Sequence, residues 1–381
     1  MSKVIKPPAM LGMLGGGQLG KFFVESAHRL GYEVTVLDPD QQSPAGKIAN
    51  NHICNSFLDE SSLDLMINKC EAISTEFENI PSETIKYLEG KVRTHPNSEA
   101  ISIVQRRVKE KEFIKSLDLP IGHYEPIESA ELLSDFEDKN FFPAILKQSK
   151  FGYDGKGQYH VNSLTETKAV LNDSNEDEFV LEKKLNLDKE ISVVLSRSSD
   201  EVSKIFPVIE NQHKEGILDL SIIPARVDED LRKEAVAYAL KIAKNLNFVG
   251  TIAVEFFISN SKLYINEVAP RPHNSGHFTL DVCNVSQFDQ QVFCLTNNNL
   301  LDIILEQNAV MLNLLGDLWL KNGVVVTPNF TELEGQGVNI HLYGKNEPRV
   351  GRKMGHITVV GESIEDLIIK AEKIRSRLWE M

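Results

Sequence analysis

The chain has 381 residues, long enough for two or three domains with well-buried cores. Hydrophobic residues make up 41% and charged residues 25%, an ordinary globular composition. A formal net charge of -14 makes nucleic acid and anionic membranes poor partners, and no run of about 18 apolar residues offers a membrane span. Residues 1–8 lack the apolar stretch of a signal peptide, so a cytoplasmic protein is expected. Cys54, Cys70, Cys283 and Cys294 form no CxxC pair, which points to reduced thiols rather than a zinc site or a disulfide framework.

In chain order, residues 9–14 form a short apolar run of β character. Gly15-Gly16-Gly17 makes a turn, and residues 18–30 place Phe22, Phe23 and Ala27 on one helical face. Gly31 stands where a C-cap glycine belongs. Residues 32–37 read as the next strand and end in Asp38-Pro39-Asp40. Residues 72–75 read as a third strand, before Glu76-Phe77-Glu78-Asn79-Ile80-Pro81. This βαβ rhythm predicts a parallel, doubly wound sheet. Asn97-Ser98 can cap one helix from 99 to about 117, stopped by Leu119-Pro120. The pattern then becomes α+β, with strands over 144–148, 178–181, 190–196, 251–258 and 262–266 and helices over 165–171 and 228–246. The tail gives short strands at 324–326 and 356–360 and a last helix over 364–379.

Several segments carry chemistry. Gly15-Gly16-Gly17-Gln18-Leu19-Gly20 matches GxGxxG between a strand and a helix, and Asp38 ends the second strand. Taken alone, this supports an NAD-dependent oxidoreductase; more strictly it offers helix-start N–H groups to a phosphate. The strand 142–147 ends in Lys147, and Gly152-Tyr153-Asp154-Gly155-Lys156-Gly157-Gln158 follows. Three glycines and two lysines suit a flap over a triphosphate. Glu182-Lys183-Lys184-Leu185 ends another strand and can present backbone groups to an adenine edge, with Glu190 in reach of ribose hydroxyls.

Glu255 lies in an apolar strand, where a charge is costly unless paired or bound to a cation. The chain turns after Ser259-Asn260 and returns to Asn266-Glu267, so a hairpin would bring Glu255 and Glu267 together. Two carboxylates and an amide oxygen are hard donors that suit Mg²⁺ on ATP phosphates. In the loop that follows, Arg271 can contact phosphoryl oxygens, and His273, Asn274 and His277 can orient a small oxyanion. No Glu lies between the two histidines and prolines oppose a helix, so zinc is not expected there.

The order of a lysine-ended strand, GYDGKGQ, EKKL and then VEFF…NEVAPRPHNSGH resembles the ATP-grasp superfamily. Together with GGGQLG, TEFENIP and the tail LYGKNEPRVGRKMGH, it is similar to the 5-(carboxyamino)imidazole ribonucleotide synthase family over nearly the whole chain. The resemblance implies an α/β and α+β protein: a Rossmann-like N-terminal domain over 1–112, an ATP-grasp domain over 113–305 and a small, mainly β C-terminal domain over 306–381. It implies a homodimeric ligase of purine biosynthesis that needs ATP and Mg²⁺. Bicarbonate would become carboxyphosphate and carboxylate aminoimidazole ribonucleotide.

By the same resemblance, ATP would contact Arg107, Lys147, the stretch Gly152 to Gln158, Glu182 to Leu185, Glu190, His213, Asn266 and Glu267. Glu255 and Glu267 would hold the metal. Gly17, Gln18, Leu19, Glu76, Lys345 and Arg352 would hold the ribonucleotide, and Arg271, His273, Asn274 and Lys353 would serve the reacting groups. Gln105-Arg106 stands where relatives often have an acidic residue before the arginine, so Arg106 is the alternative to Arg107. Lys353 beside Arg352 leaves two candidates for the phosphate. In this family the glycine turn faces the ribonucleotide phosphate, not a dinucleotide.

Overall fold

Alternating apolar runs and amphipathic helices build a parallel sheet from the first quarter of the chain. The computed structural model describes residues 3–127, 140–150, 157–174, 178–321, 324–333 and 337–380. The expected flap residues Gly152, Tyr153, Asp154, Gly155 and Lys156 lie outside the described residues. Strand β1 (Met10–Leu14) runs into helix α1 (Gln18–Arg29) and strand β2 (Glu33–Leu37). Then come β3 (Asn51–Ile53), α2 (Glu60–Lys69), β4 (Ala72–Thr75), α3 (Ser82–Glu89) and β5 (Arg93–His95). The strand order is β3-β2-β1-β4-β5 and every pair is parallel. Leu11, Met13, Val34 and Val36 pack with Phe23 and Val24 on one face, and Leu14, Leu37 and Ile73 pack with Leu63 and Met66 on the other. Burial on both faces explains the continuous apolar runs of these strands.

The single helix expected over 99–117 is two: α4 (Ser98–Val104) and α5 (Arg107–Ser116). No proline or glycine marks the break. The Gln105 side-chain amide donates to the carbonyls of Glu78 and Ile80, and Arg106 takes an extended backbone. The break makes Arg107 the first residue of a new helix, with its N–H donated to the Ser149 carbonyl at 2.9 Å.

A four-stranded antiparallel sheet follows, made of β6 (Tyr124–Ile127), β7 (Ala144–Gln148), β8 (Gln158–Val161) and β9 (Phe179–Lys183), in the order β6-β9-β7-β8. Helix α6 (Leu164–Asp173) packs against it. The larger sheet contains β10 (Lys189–Arg197), β11 (Ser203–Ile205), β12 (Ile209–Lys214) and β13 (Ile217–Ile223). After helix α7 (Glu229–Asn245) come β14 (Gly250–Ser259) and β15 (Lys262–Ala269), then the short helices α8 (Thr279–Val282) and α9 (Gln287–Thr296) and strand β16 (Asn308–Leu315). The tail adds the β17 (Leu320–Lys321) and β18 (Val324–Val325) pair, β19 (Val338–Leu342), β20 (Lys353–Gly361) and α10 (Ile364–Glu380).

Among the described residues, the large sheet runs β15-β14-β10-β12-β13-β16-β20-β19, with β11 beside β10. It does not stop at residue 306, because β13 pairs with β16 through Leu220↔Leu312 and Ile222↔Val310. Helix α10 covers that junction, with Leu367, Ala371 and Ile374 packed on Leu220, Val310 and Ile357. On the other half of the sheet, Ala235, Ala239 and Ile242 of α7 pack on Ile191, Val193 and Val254.

Candidate active site

A cavity of about 1020 Å³ opens between the two antiparallel sheets and reaches the first turn of α1. Of the described residues that the family resemblance assigns to a site, all but Gly157 line it; the Gly157 carbonyl instead accepts the N–H of Gln148 at 2.8 Å. Its φ of +69° is one that glycine adopts without strain.

One wall is the β7–β9 sheet. Lys147 and Glu182 meet there at 3.0 Å, and Lys111 of α5 meets the other carboxylate oxygen at 3.0 Å. Burial alone would raise the Glu182 carboxyl, but Lys111, Lys147 and Arg107 outweigh it and hold it down at about 2. Burial pushes the Lys147 ammonium below its ordinary value against the pull of Glu182. Arg106 faces away from this wall and pairs with Glu178. Arg107 is buried and donates to Glu267 at 3.2 Å, so the cavity holds Arg107 rather than Arg106.

The opposite wall is the β14–β15 hairpin. Glu255 stands directly across from Glu267, and the register then shifts so that Phe256 faces Ile265. Asn266 is the extra residue of this bulge, a feature that re-aims side chains. Its Nδ2 donates to Glu255 at 3.2 Å, and its Oδ1 is buried with no hydrogen-bond partner among the described residues. An unpartnered amide oxygen between two carboxylates fits the oxygen-donor set of Mg²⁺.

His273 contacts the second Glu255 oxygen at 3.1 Å. Burial would raise the Glu255 carboxyl, but His273, His213 and Asn266 hold it down at about 2. Behind Glu267, Glu110 accepts the Val268 N–H at 2.6 Å and fixes the strand backbone. Burial and the Glu267 charge push the Glu110 carboxyl up to about 8.

His213 sits 2.9 Å from Glu190, on neighbouring strands. Burial lowers the imidazole, but the Glu190 hydrogen bond and the Glu255 and Glu190 charges raise it overall. The charged pair is therefore complete below the ordinary histidine value of 6.5 and is lost as pH rises through the elevated one. The KM for ATP should climb over that interval, and His213→Gln should flatten the pH profile in initial-rate measurements. An unchanged profile in the variant would contradict a nucleotide contact there.

At the third side, Glu76 accepts N–H groups from Gly17 and from Leu19, the latter at 3.1 Å. Asp38 likewise accepts the Gly16 N–H at 2.7 Å and the Asp40 N–H at 2.7 Å. The helix-start amides are thus met by the chain's own carboxylates, and Asp38 shapes the turn. Gly17 is required by close approach, since a Cβ there would overlap the Glu76 carboxylate. Gly17→Ala should cost about 1–3 kcal/mol of stability, read as a lower urea midpoint.

Lys345 donates to Gln18 Oε1 at 2.7 Å and to the Lys353 carbonyl at 2.7 Å, tying the tail to α1. Arg352 donates to the Glu347 carbonyl at 2.6 Å.

Arg271 is clamped by both oxygens of Glu78, one at 3.2 Å. Asn274 and Asn313 exchange side-chain amide bonds at 3.1 and 2.6 Å. His277, expected beside them on an oxyanion, does not line the cavity. It is fully buried, 5.3 Å from the Phe22 ring and 5.0 Å from the His356 ring, and burial drives its imidazole far below the ordinary range. Glu78, Glu110 and Lys111 escaped the sequence reading. Glu78 lay in the quoted TEFENIP segment, but Glu110 and Lys111 look like ordinary charges on a helix surface until the helix break turns them inward.

Residues 9–105 match the ribonucleotide synthetase preATP-grasp domain, 112–288 the ATP-grasp domain and 309–370 the phosphoribosylaminoimidazole carboxylase C-terminal domain. N5-carboxyaminoimidazole ribonucleotide synthase of Staphylococcus aureus (strain COL) is 38% identical over 374 residues, covering 97% of this chain and 98% of the relative. The Bacillus subtilis (strain 168) protein of the same name is 36% identical over 370 residues, with 97% and 96% covered. The S. aureus enzyme solved with ADP superimposes with a TM-score of 0.89 at 37% identity, covering 99% of each chain. The Aspergillus clavatus enzyme, solved with ADP and 5-aminoimidazole ribonucleotide, gives 0.86 at 26% identity, covering 98% and 99%. With a relative this similar across its full length, the chain belongs to the N5-carboxyaminoimidazole ribonucleotide synthase family of ATP-grasp ligases.

Proposed function

We propose that this chain carboxylates 5-aminoimidazole ribonucleotide with bicarbonate, at the expense of ATP, to give N5-carboxyaminoimidazole ribonucleotide, ADP and phosphate in purine biosynthesis. The observation that carries this reading is one cavity with two chemically different ends. Lys147, Glu182 and the Glu255–Glu267 hairpin line one end, and Gly17, Gln18 and Lys345 line the other. That arrangement suits a nucleoside triphosphate facing a second, anionic substrate.

In this reading adenine lies along Glu182 to Leu185, and Arg107 and Lys147 face the phosphates. Mg²⁺ held by Glu255 and Glu267 would neutralise phosphate charge and orient the γ-phosphoryl group. Bicarbonate is a poor electrophile. One of its oxygens attacks the γ-phosphorus, ADP leaves, and carboxyphosphate now carries a phosphate leaving group. The exocyclic amine of the ribonucleotide attacks the carboxyl carbon and loses a proton, and phosphate departs.

Arg271, oriented by Glu78, and His273, beside Glu255, would hold the small anions. Preorganised donors of this kind need no reorganisation as charge develops. The intermediate is labile in water, which gives a closing flap its purpose. Lys345 and Arg352 would meet the ribonucleotide phosphate. The same reading makes the enzyme a cytoplasmic homodimer.

A substrate panel for ADP release tests the assignment. Release should require bicarbonate and aminoimidazole ribonucleotide together. Strong stimulation by glycinamide ribonucleotide with formate would replace this reading with that of a formate-using transformylase.

A further inference from the structure

Outside the cavity, a second group of ligand-capable side chains comes together. Asp281 on α8, His341 on β19 and His356 on β20 each present one ligand atom, all within 4.8 Å of one another. The two histidines are directly opposed on adjacent antiparallel strands, and their rings stack at 4.6 Å and 14°. Asp281 arrives from the segment that follows the Arg271–Asn274 loop. The cluster therefore joins the tail strands to the chain that carries the active-site loop. Phe22 of α1 closes it, 6.1 Å from the His341 ring and 6.0 Å from the His356 ring.

Two atoms of the cluster lack protein partners. Asp281 Oδ1 contacts His341 Nε2 at 2.9 Å, and His356 Nδ1 contacts the Tyr343 hydroxyl at 3.0 Å. Asp281 Oδ2 and His356 Nε2 are buried and have no hydrogen-bond partner among the described residues. His356 has no exposed surface at all. Buried polar groups left unpaired are costly, so two in one cluster favour a bound ligand.

The donor set is two imidazoles and a carboxylate. Such sets bind divalent transition metals, with a fourth position left to water. The Tyr343 hydroxyl on the far nitrogen of His356 is the outer support that orients a ligating imidazole. We propose that Asp281, His341 and His356 form a Zn²⁺-class metal site that pins β19 and β20 to the loop bearing Arg271 and His273. His341 is the most exposed of the three side chains. None of the three residues lines the cavity, so this metal is separate from the cation proposed for the Glu255–Glu267 hairpin.

The test uses the full chain, stripped with a chelator and titrated with Zn²⁺ and with Co²⁺ as a spectroscopic reporter. Metal content after desalting, the visible Co²⁺ bands and the melting temperature are read. About one Zn²⁺ per chain should be retained, with strong four-coordinate Co²⁺ bands and a raised melting temperature. Asp281→Asn and the half-exposed His341→Gln should each weaken binding at least about tenfold. Glu267→Gln should leave the Co²⁺ bands unchanged, because that residue belongs to the other site. Failure of the parent chain to retain metal would overturn the proposal. So would binding that survives both Asp281→Asn and His341→Gln, or that vanishes in Glu267→Gln.

Discussion

Glu267→Gln should lower kcat about 10²-fold or more while the fold stays intact. The side chain stands across from Glu255 on the bulged hairpin and accepts from Arg107. An amide keeps the shape and can still accept the Arg107 hydrogen bond, so packing survives. What goes is one of the two negative charges proposed to hold the phosphate-bound cation. A turnover loss with an unchanged urea midpoint would assign Glu267 to the chemistry. A stability loss with turnover preserved in the folded fraction would make it structural only.

Glu182→Gln should act on the opposite quantity. Lys111 and Lys147 both depend on this carboxylate, and their side chains keep only 2% and 5% exposure. Removing the charge leaves two buried ammonium groups beside Arg107 without their common partner, an arrangement that costs about 3–5 kcal/mol.

The sign with pH follows from the Glu182 carboxyl at about 2 against an ordinary value of 4.5. Its contribution, about 3 kcal/mol, is fully present above pH 4.5 and is lost as pH falls from there toward 2. Urea denaturation of the parent at neutral pH and near pH 3 should show this loss, and the variant should start lower and fall less. A variant as stable as the parent at neutral pH would mean that the two lysines find other partners.

The Glu255–Glu267 hairpin was legible because a charged glutamate in an apolar strand is costly and a turn at Ser259-Asn260 fixes what it faces. The structure puts Glu255 opposite Glu267, as that argument requires. The bulge that turns Asn266 toward Glu255 was not legible, since a one-residue register shift leaves no mark in an alternating pattern. The glycine turn was read as offering helix-start N–H groups to a phosphate; in the structure the group that meets them is the Glu76 carboxylate, which arrives from 59 residues away.

Local pattern failed where distant groups decide. Gln105 breaks the helix by donating to Glu78 and Ile80, and that break turns Arg107, Glu110 and Lys111 inward. Strands β12 and β13 were missed as well; their pairing is irregular at Gln212 and His213 and their partner β16 lies far along the chain. The continuity of the large sheet through that pairing could not be seen in periodicity. His277 looked like a loop histidine among polar neighbours, but its burial depends on Phe22, Phe288 and Tyr343 from distant segments.

The central claim is that bicarbonate is activated by taking the γ-phosphoryl group of ATP before its carbon reaches the amine. Labelling bicarbonate with ¹⁸O in the complete reaction tests this directly. The oxygen that attacks phosphorus stays with phosphate when the amine displaces it, so each turnover should deliver one bicarbonate oxygen to the released phosphate. Phosphate free of label, with carboxylated product still formed, would contradict the account.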